Sequence, residues 1–491
     1  LHHDKLGSIV TPTCVGRLLA SLPALVLAAC GGSSAGGNTV ANPDPARGTL
    51  LQNPPELTTV TAPELLLRLG AAVNQQLLAL AGAPLCDVAV FHMRYQTVGG
   101  ANEPTTASGA LMVPTGTSSQ CRGARPIVLY AHGTTTDRTF NIANLGDSGN
   151  TEGLYLAVFF ATQGYIVIAP NYAGYDTSTL GYHPYLNADQ ESKDMIDALT
   201  AARTALARPV VPLTSDGRQL YLTGYSQGGY VAMATERALQ AAGMPVTAAA
   251  PLSGPYAMAA FVDAVFAGRV SGSAPVVAAF LVTAYQKSYG NIYATGTDVF
   301  AAPYATGIDS LLPSALLRSD LYAQGKLPQY ALFSSTAPDP AFTAETPATT
   351  PANLATVFAL GFGVSPLVTN AFRLRYLLDA QANPDGGWPT VTTGIAAASP
   401  GLALRQALKL NDLRNWSPAA PTLLCGGNAD PVVFWLNTQL MDAYWAAHPT
   451  PALSYGVLDV DSPATANDPY AGPKKSFATA RDLVAADAVA H

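Results

Sequence analysis

The chain has 491 residues with 25 Lys+Arg against 32 Asp+Glu, a formal charge of −7, and is 49% hydrophobic with only 12% charged residues. That composition excludes an intrinsically disordered chain, and an acidic balance without a basic run leaves no field to hold a nucleic-acid backbone. The length exceeds the roughly 250–300 residues that one core encloses, which predicts one large core with a sizeable inserted subdomain.

At the amino-terminal end, Lys5 and Arg17 precede an apolar run at 18–29. The run is about 12 residues, short of the roughly 20 that a bilayer crossing needs, and ends in small residues. Residues 1–29 therefore read as a signal peptide of an exported protein. Leu27-Ala28-Ala29-Cys30 resembles a bacterial lipobox, with Cys30 the lipidation site and Gly31 not retaining the product at the inner membrane. The expected location is the outer membrane, through a lipid on Cys30, or the extracellular space; the plainer reading is an ordinary secretory signal that contains Cys30. Residues 30–55, rich in Gly, Ser, Asn and Pro, are expected to be a flexible linker.

Of five cysteines, Cys14 and Cys30 belong to the leader. Cys86 and Cys121 bracket a predicted strand pair and are expected to form a disulfide in an oxidising compartment. Cys425 is either a buried thiol of a core strand or the partner of a cysteine beyond the end of this sequence. No Cys/His cluster has zinc spacing, so no metal is expected.

The core is predicted over 56–255 and 417–491. Strands at 88–95 and 107–113 form an antiparallel pair across Gly99-Gly100. The apolar runs at 126–133 and 165–170 fit strands buried on both faces, joined by a helix at 152–162. A helix at 189–206, a strand at 219–224, a helix to 242 and a strand at 246–252 continue the alternation. This pattern defines an α/β fold with a mostly parallel sheet flanked by helices. From 256 to 416 the alternation lapses into a mainly helical insertion, with helix-like patches at 311–317 and 372–380. It resumes with a strand at 421–426, a helix at 431–447, a strand at 453–460 and a helix at 474–490.

Gly224-Tyr225-Ser226-Gln227-Gly228-Gly229 follows a strand and opens a helix. G-x-S-x-G in that setting is a nucleophile elbow, whose glycines permit a turn that holds the serine above the sheet. The N–H of Gln227, at the positive end of the helix dipole, is one expected oxyanion donor. The second is the N–H of Thr134, in the His132-Gly133-Thr134 loop after the third strand. His132 precedes the serine in the chain and is expected to orient this loop. The acid should follow the insertion, and Asp430, in Gly426-Gly427-Asn428-Ala429-Asp430-Pro431, fits; Asp459 and Asp461 are alternatives. Of seven histidines, only His448 and His491 follow Asp430. His448 closes a helix and reads as its cap, so His491 is the candidate base. His183, in a loop after the fourth strand, is expected to line the substrate entrance.

Together, Tyr130-Ala131-His132-Gly133-Thr134, His183-Pro184-Tyr185-Leu186, the elbow and the Asp430 segment resemble bacterial relatives of the secretory lipase (lipase A type) family of α/β-hydrolases. Gly-Tyr-Ser-Gln-Gly is also the elbow pattern of cutinases. The resemblance implies esterase or lipase activity, no metal or organic cofactor, and a helical cap or lid over 256–416. In such relatives a Tyr-His-Gly segment and a final cysteine follow the last helix; neither is present here. The expectation is that the sequence stops short of its true end, the base lying at His491 or beyond.

The expected function is a serine carboxylic-ester hydrolase acting on a small-molecule, lipid or polymer ester through a Ser-His-Asp triad and an acyl-enzyme. The other readings are a prolyl-type serine peptidase and a non-catalytic surface-binding lipoprotein on the same scaffold.

Overall fold

The computed structural model describes residues 46–52, 55–72, 82–147, 149–207, 213–385 and 395–490. The signal peptide, Cys30 and His491 lie outside them. The sheet strands are β1 (Glu56–Val60), β2 (Asp87–Val98), β3 (Pro104–Thr115), β4 (Gly123–Ala131), β5 (Ile166–Pro170), β6 (Thr214–Tyr225), β7 (Ala248–Leu252), β8 (Thr422–Gly426) and β9 (Tyr455–Asp459). Their order is β1-β2-β3-β5-β4-β6-β7-β8-β9. Pairing is antiparallel from β1 to β5 and parallel from β5 to β9.

Alternation along the strands sets the two layers. Ala89, Phe91, Leu111, Leu129 and Ile168 face one cluster; Val88, Val90, Met112, Val128 and Val167 face another. Helices α1 (Ala62–Ala72) and α2 (Thr151–Phe159) pack together beside the second cluster, and α3 (Ala188–Leu206) and α4 (Gln227–Ala241) cover the first. The chain leaves β4 for β5 on one side and reaches β6 on the other, so the winding reverses beside β4. Open α/β sheets bind ligands at the carboxyl ends of strands at such a switch point.

Between β7 and β8 lie α5 (Met258–Phe266), α6 (Ala274–Tyr289), α7 (Asn370–Ala382) and α8 (Ala403–Leu410), with short turns and a two-residue strand pair at Phe333–Ser334 and Phe362–Gly363. Their apolar side chains join the cluster under α3 and α4. Buried ion pairs tie the region together: Arg405 to Asp263 at 2.8 Å and Asp379 at 2.9 Å, and Arg414 to Asp385 and Asp412, each at 2.7 Å. After β8 come α9 (Leu436–Ala447) and α10 (Ala471–Ala490). No described helix is long and apolar enough to cross a membrane.

Cys86 and Cys121 form a disulfide spanning 35 residues around the β2–β3 hairpin. Cys425 is a half-buried free thiol on β8, pushed up to about 11 by burial.

Four expectations need correction. The end of the expected linker is ordered: Gly48 N–H bonds Gln96 O at 2.8 Å, Leu51 N–H bonds Arg94 O at 2.8 Å, and Arg47 pairs with Asp197 at 3.0 Å. Beyond it lie β1 and α1, which the sequence reading does not contain; Glu56 to Thr59 of β1 is exposed at an edge and carries little apolar alternation. Residues 311–317 are turns and bends rather than helix; Pro313 lacks an N–H and disfavours helical backbone before it. The helix expected from 431 starts at Leu436, because the Asp430 carboxylate takes the N–H groups of Val432 and Val433 into a local turn.

Candidate active site

β6 delivers the chain to Ser226, which adopts φ 58° and ψ −119°. L-residues avoid this region, and it persists only where the surroundings dictate it. Here they do. A Cβ at Gly228 would collide with Ala131 O, one at Gly229 with Leu252 O, and one at Gly224 with Gly228 O, so the first turn of α4 sits directly on the ends of β4 and β7. Ser226 N–H donates to Leu252 O at 3.0 Å. Gln227, the first residue of α4, has no intrahelical acceptor for its N–H.

The loop after β4 brings Thr134 to the same place. His132 is fully buried, with Nδ1 2.7 Å from Gly133 O and Nε2 3.2 Å from Asn171 O, and it stacks on Tyr172 at 4.1 Å. Burial lowers its pKa, against the opposing charge of Glu152. His132 thus orients the loop. From the other side Glu152 Oε1 accepts the Gly133 N–H at 3.1 Å and the Tyr130 hydroxyl at 2.6 Å.

A cavity of about 250 Å³ opens at this point, lined among others by Thr134, Ser226, Gln227, Phe261, Val277 and Arg318. Val432 and Val433 reach it from the segment after β8. Asp430 Oδ1 accepts their N–H groups at 2.8 and 3.0 Å. Burial raises the Asp430 pKa; the two N–H groups pull it down, and the charge of Asp461 pushes it up. Asp430 is also felt at Tyr225, next to the serine, whose phenol burial and then Asp430 push up. The alternative acids have other work: Asp459 holds Asn428 through N–H and Nδ2 at 3.1 and 2.7 Å, and Asp461 Oδ2 accepts the Ala429 N–H at 3.0 Å.

The described histidines are engaged elsewhere. His92 Nε2 lies 2.7 Å from Asp176 Oδ2, and His448 caps α9 with Nδ1 2.9 Å from Tyr444 O. His183 does not line an entrance. It is 1% exposed, with Nδ1 3.0 Å from Ala173 O and Nε2 2.7 Å from the Gln227 side-chain nitrogen, beneath the nucleophile. Sequence reasoning passed over Glu152, Tyr185 and Glu191. For Glu191 a signal existed: Ala188, Glu191, Met195, Ala198 and Ala202 share the buried stripe of α3, and a carboxylate on such a stripe must have a partner.

A serine held on a strained strand-to-helix turn at the switch point of a mostly parallel sheet defines a serine hydrolase with the α/β-hydrolase fold. The solved structures most informative about it agree. The chain is 27% identical to the rice cell wall degrading esterase LipA of Xanthomonas oryzae, covering 90% of this chain and 97% of that one at a TM-score of 0.65. A Legionella pneumophila protein described as a hydrolase is 20% identical over 87% of this chain and 96% of its own, at a TM-score of 0.61, a likeness of fold alone. Residues 155–264 match the prolyl oligopeptidase family. No curated protein matches the chain. The chain is thus an α/β-hydrolase by fold, similar along most of its length to an esterase.

Proposed function

We propose that the protein is a carboxylic-ester hydrolase working through an acyl-enzyme on Ser226, with Asp430 as the triad acid and His491 as the base. The supporting observation is the Ser226 elbow itself, which sets the hydroxyl in a cavity bordered by Thr134 and Gln227. Ser226 Oγ attacks the ester carbonyl as the histidine takes its proton. The N–H groups of Gln227 and Thr134 hold the oxyanion, and the histidine returns the proton to the leaving alcohol before water releases the acid. Phe261, Val276, Val277 and Leu186 supply an apolar wall suited to an acyl chain, and a second cavity of about 60 Å³ with a hydrocarbon lining shares Leu186, Phe261 and Val277 with it. The likeness to an esterase favours esters, including polymeric ones.

The test is hydrolysis of p-nitrophenyl butyrate. Ser226→Ala is expected to lose turnover by about a million-fold and to abolish phosphonate labelling; an unlabelled Ser226 in the folded protein would support a binding scaffold instead. His491→Ala should be equally inactive, and full activity in it would move the base elsewhere. The prolyl oligopeptidase match supports a second reading, a peptidase, which hydrolysis of proline amides without ester turnover would establish. Export with lipid on Cys30 belongs to the same proposal; incorporation of labelled palmitate that Cys30→Ser removes is its check.

A further inference from the structure

The two oxyanion donors lie on different elements, Thr134 after β4 and Gln227 at the start of α4, and donors of this kind must keep their spacing to about 0.5 Å. One segment touches both. After β5 the chain runs through His183-Pro184-Tyr185-Leu186 into α3, and its side chains reach each donor residue in turn.

Tyr185 is buried, stacks on Phe280 of α6 at 4.8 Å, and sets its hydroxyl 2.8 Å from Thr134 Oγ1. Leu186 adopts φ 54°, and its carbonyl accepts the hydroxyls of Tyr230 at 3.2 Å and Tyr285 at 3.0 Å. His183 Nδ1–H donates to Ala173 O, which leaves Nε2 as an acceptor. One hydrogen of the Gln227 amide nitrogen goes to that Nε2 at 2.7 Å and the other to Glu191 Oε1 at 2.6 Å. His183, Glu191 and Gln227 are all essentially inaccessible to water. Burial drives the imidazole down to about 3, so it stays neutral and accepting, and drives the Glu191 carboxyl up. The Leu186 N–H also reaches the Glu191 carboxyl, tying this segment to the same group, and among the described residues the buried Gln227 Oε1 has no partner.

We propose that residues 183–191 form a brace that fixes the oxyanion hole, Tyr185 positioning Thr134 while His183 and Glu191 position Gln227. These are positioning residues, and the assignment rests on the serine-hydrolase reading above.

The test uses Tyr185→Phe, Glu191→Leu and Glu191→Gln in the full chain. Each is measured for kcat and KM on p-nitrophenyl butyrate, for affinity toward phenylboronic acid, whose tetrahedral serine adduct places an oxygen in the oxyanion hole, and for folding by circular dichroism. Tyr185→Phe and Glu191→Leu are each expected to lower kcat about tenfold with KM within twofold, and to weaken the boronate by the same factor. Glu191→Gln keeps an acceptor oxygen and should recover kcat to within about twofold. Should Glu191→Leu not fold, Tyr185→Phe, which removes one oxygen, carries the test alone. Loss in KM with kcat intact, loss of kcat without parallel loss of boronate affinity, or equal impairment in Glu191→Gln and Glu191→Leu would overturn the brace. A wild-type protein without ester turnover or Ser226 labelling would overturn the hydrolase reading and the brace with it; an active wild type with unaffected variants would overturn the brace alone.

Discussion

The Ser226 half of the site and the half that carries the proposed acid, Asp430, are built by different means. Around Ser226 three glycines leave no room for a Cβ, His132 and Gln227 are buried, and orienting contacts come from distant segments at Asn171, Glu152 and His183. Around Asp430 the chain is half open: Asn428 and Ala429 are exposed, and among the described residues the carboxylate bonds the N–H groups two and three residues on. The first half is fixed by steric fit and the second by a few hydrogen bonds, so the same chemistry rests on unequal local stability. Substitution should then separate activity from folding on one side and not on the other.

The sharpest break is expected from Asp430→Asn. With the acid lost, kcat should fall about 10⁴-fold, while the urea midpoint stays near that of the wild type because little depends on that side chain. On the serine side Gly228→Ala should instead cost about 3 kcal/mol of stability through overpacking against Ala131 O, seen as a lower urea midpoint with activity falling alongside. If Gly228→Ala were stable but inactive, the contrast would fail.

The two halves meet where Glu236 of α4 faces β8, with Oε1 2.8 Å from Thr422 Oγ1 and, among the described residues, no partner for Oε2. Burial is the main cause that pushes this carboxyl from 4.5 up to about 8, against the pull of Thr422. Between those values the unfolded chain has lost a proton that the folded one keeps. Stability is therefore full below the unfolded value and falls as pH rises through this window. Glu236→Gln should flatten that fall and gain about 2 kcal/mol at pH 8, measured by urea unfolding from pH 4 to 9; an unchanged slope would count against the assignment. The smallest effect is expected from Asp459→Asn, which weakens the support of Asn428 for about 1 kcal/mol and lowers kcat more visibly than the melting temperature.

What the sequence reveals follows the same division. The elbow and the His132 loop are legible because each is a local string whose residues have to be adjacent to work. The turn that carries Asp430 is legible from its place after a strand. The Gln227–His183–Glu191 contacts span 44 and 36 residues and announce themselves only as a carboxylate on a buried helical stripe. Fold class came from the alternation of strand and helix, whereas β1, whose pairing is decided by the edge it joins, left little local pattern. Pro313 shows the converse: Leu311, Leu312, Leu316 and Leu317 mimic a helical face, and one missing N–H cancels it.

The ribbon that begins at Arg47 joins the sheet along β2, and β1 lies five strand positions from β6. At about 4.8 Å per strand, the entry edge and the nucleophile are roughly 24 Å apart. A load carried through the Arg47 ribbon is borne by the margin of the sheet farthest from Ser226 along that direction. The segment that enters at Arg47 therefore meets the sheet well to one side of the strand that carries Ser226.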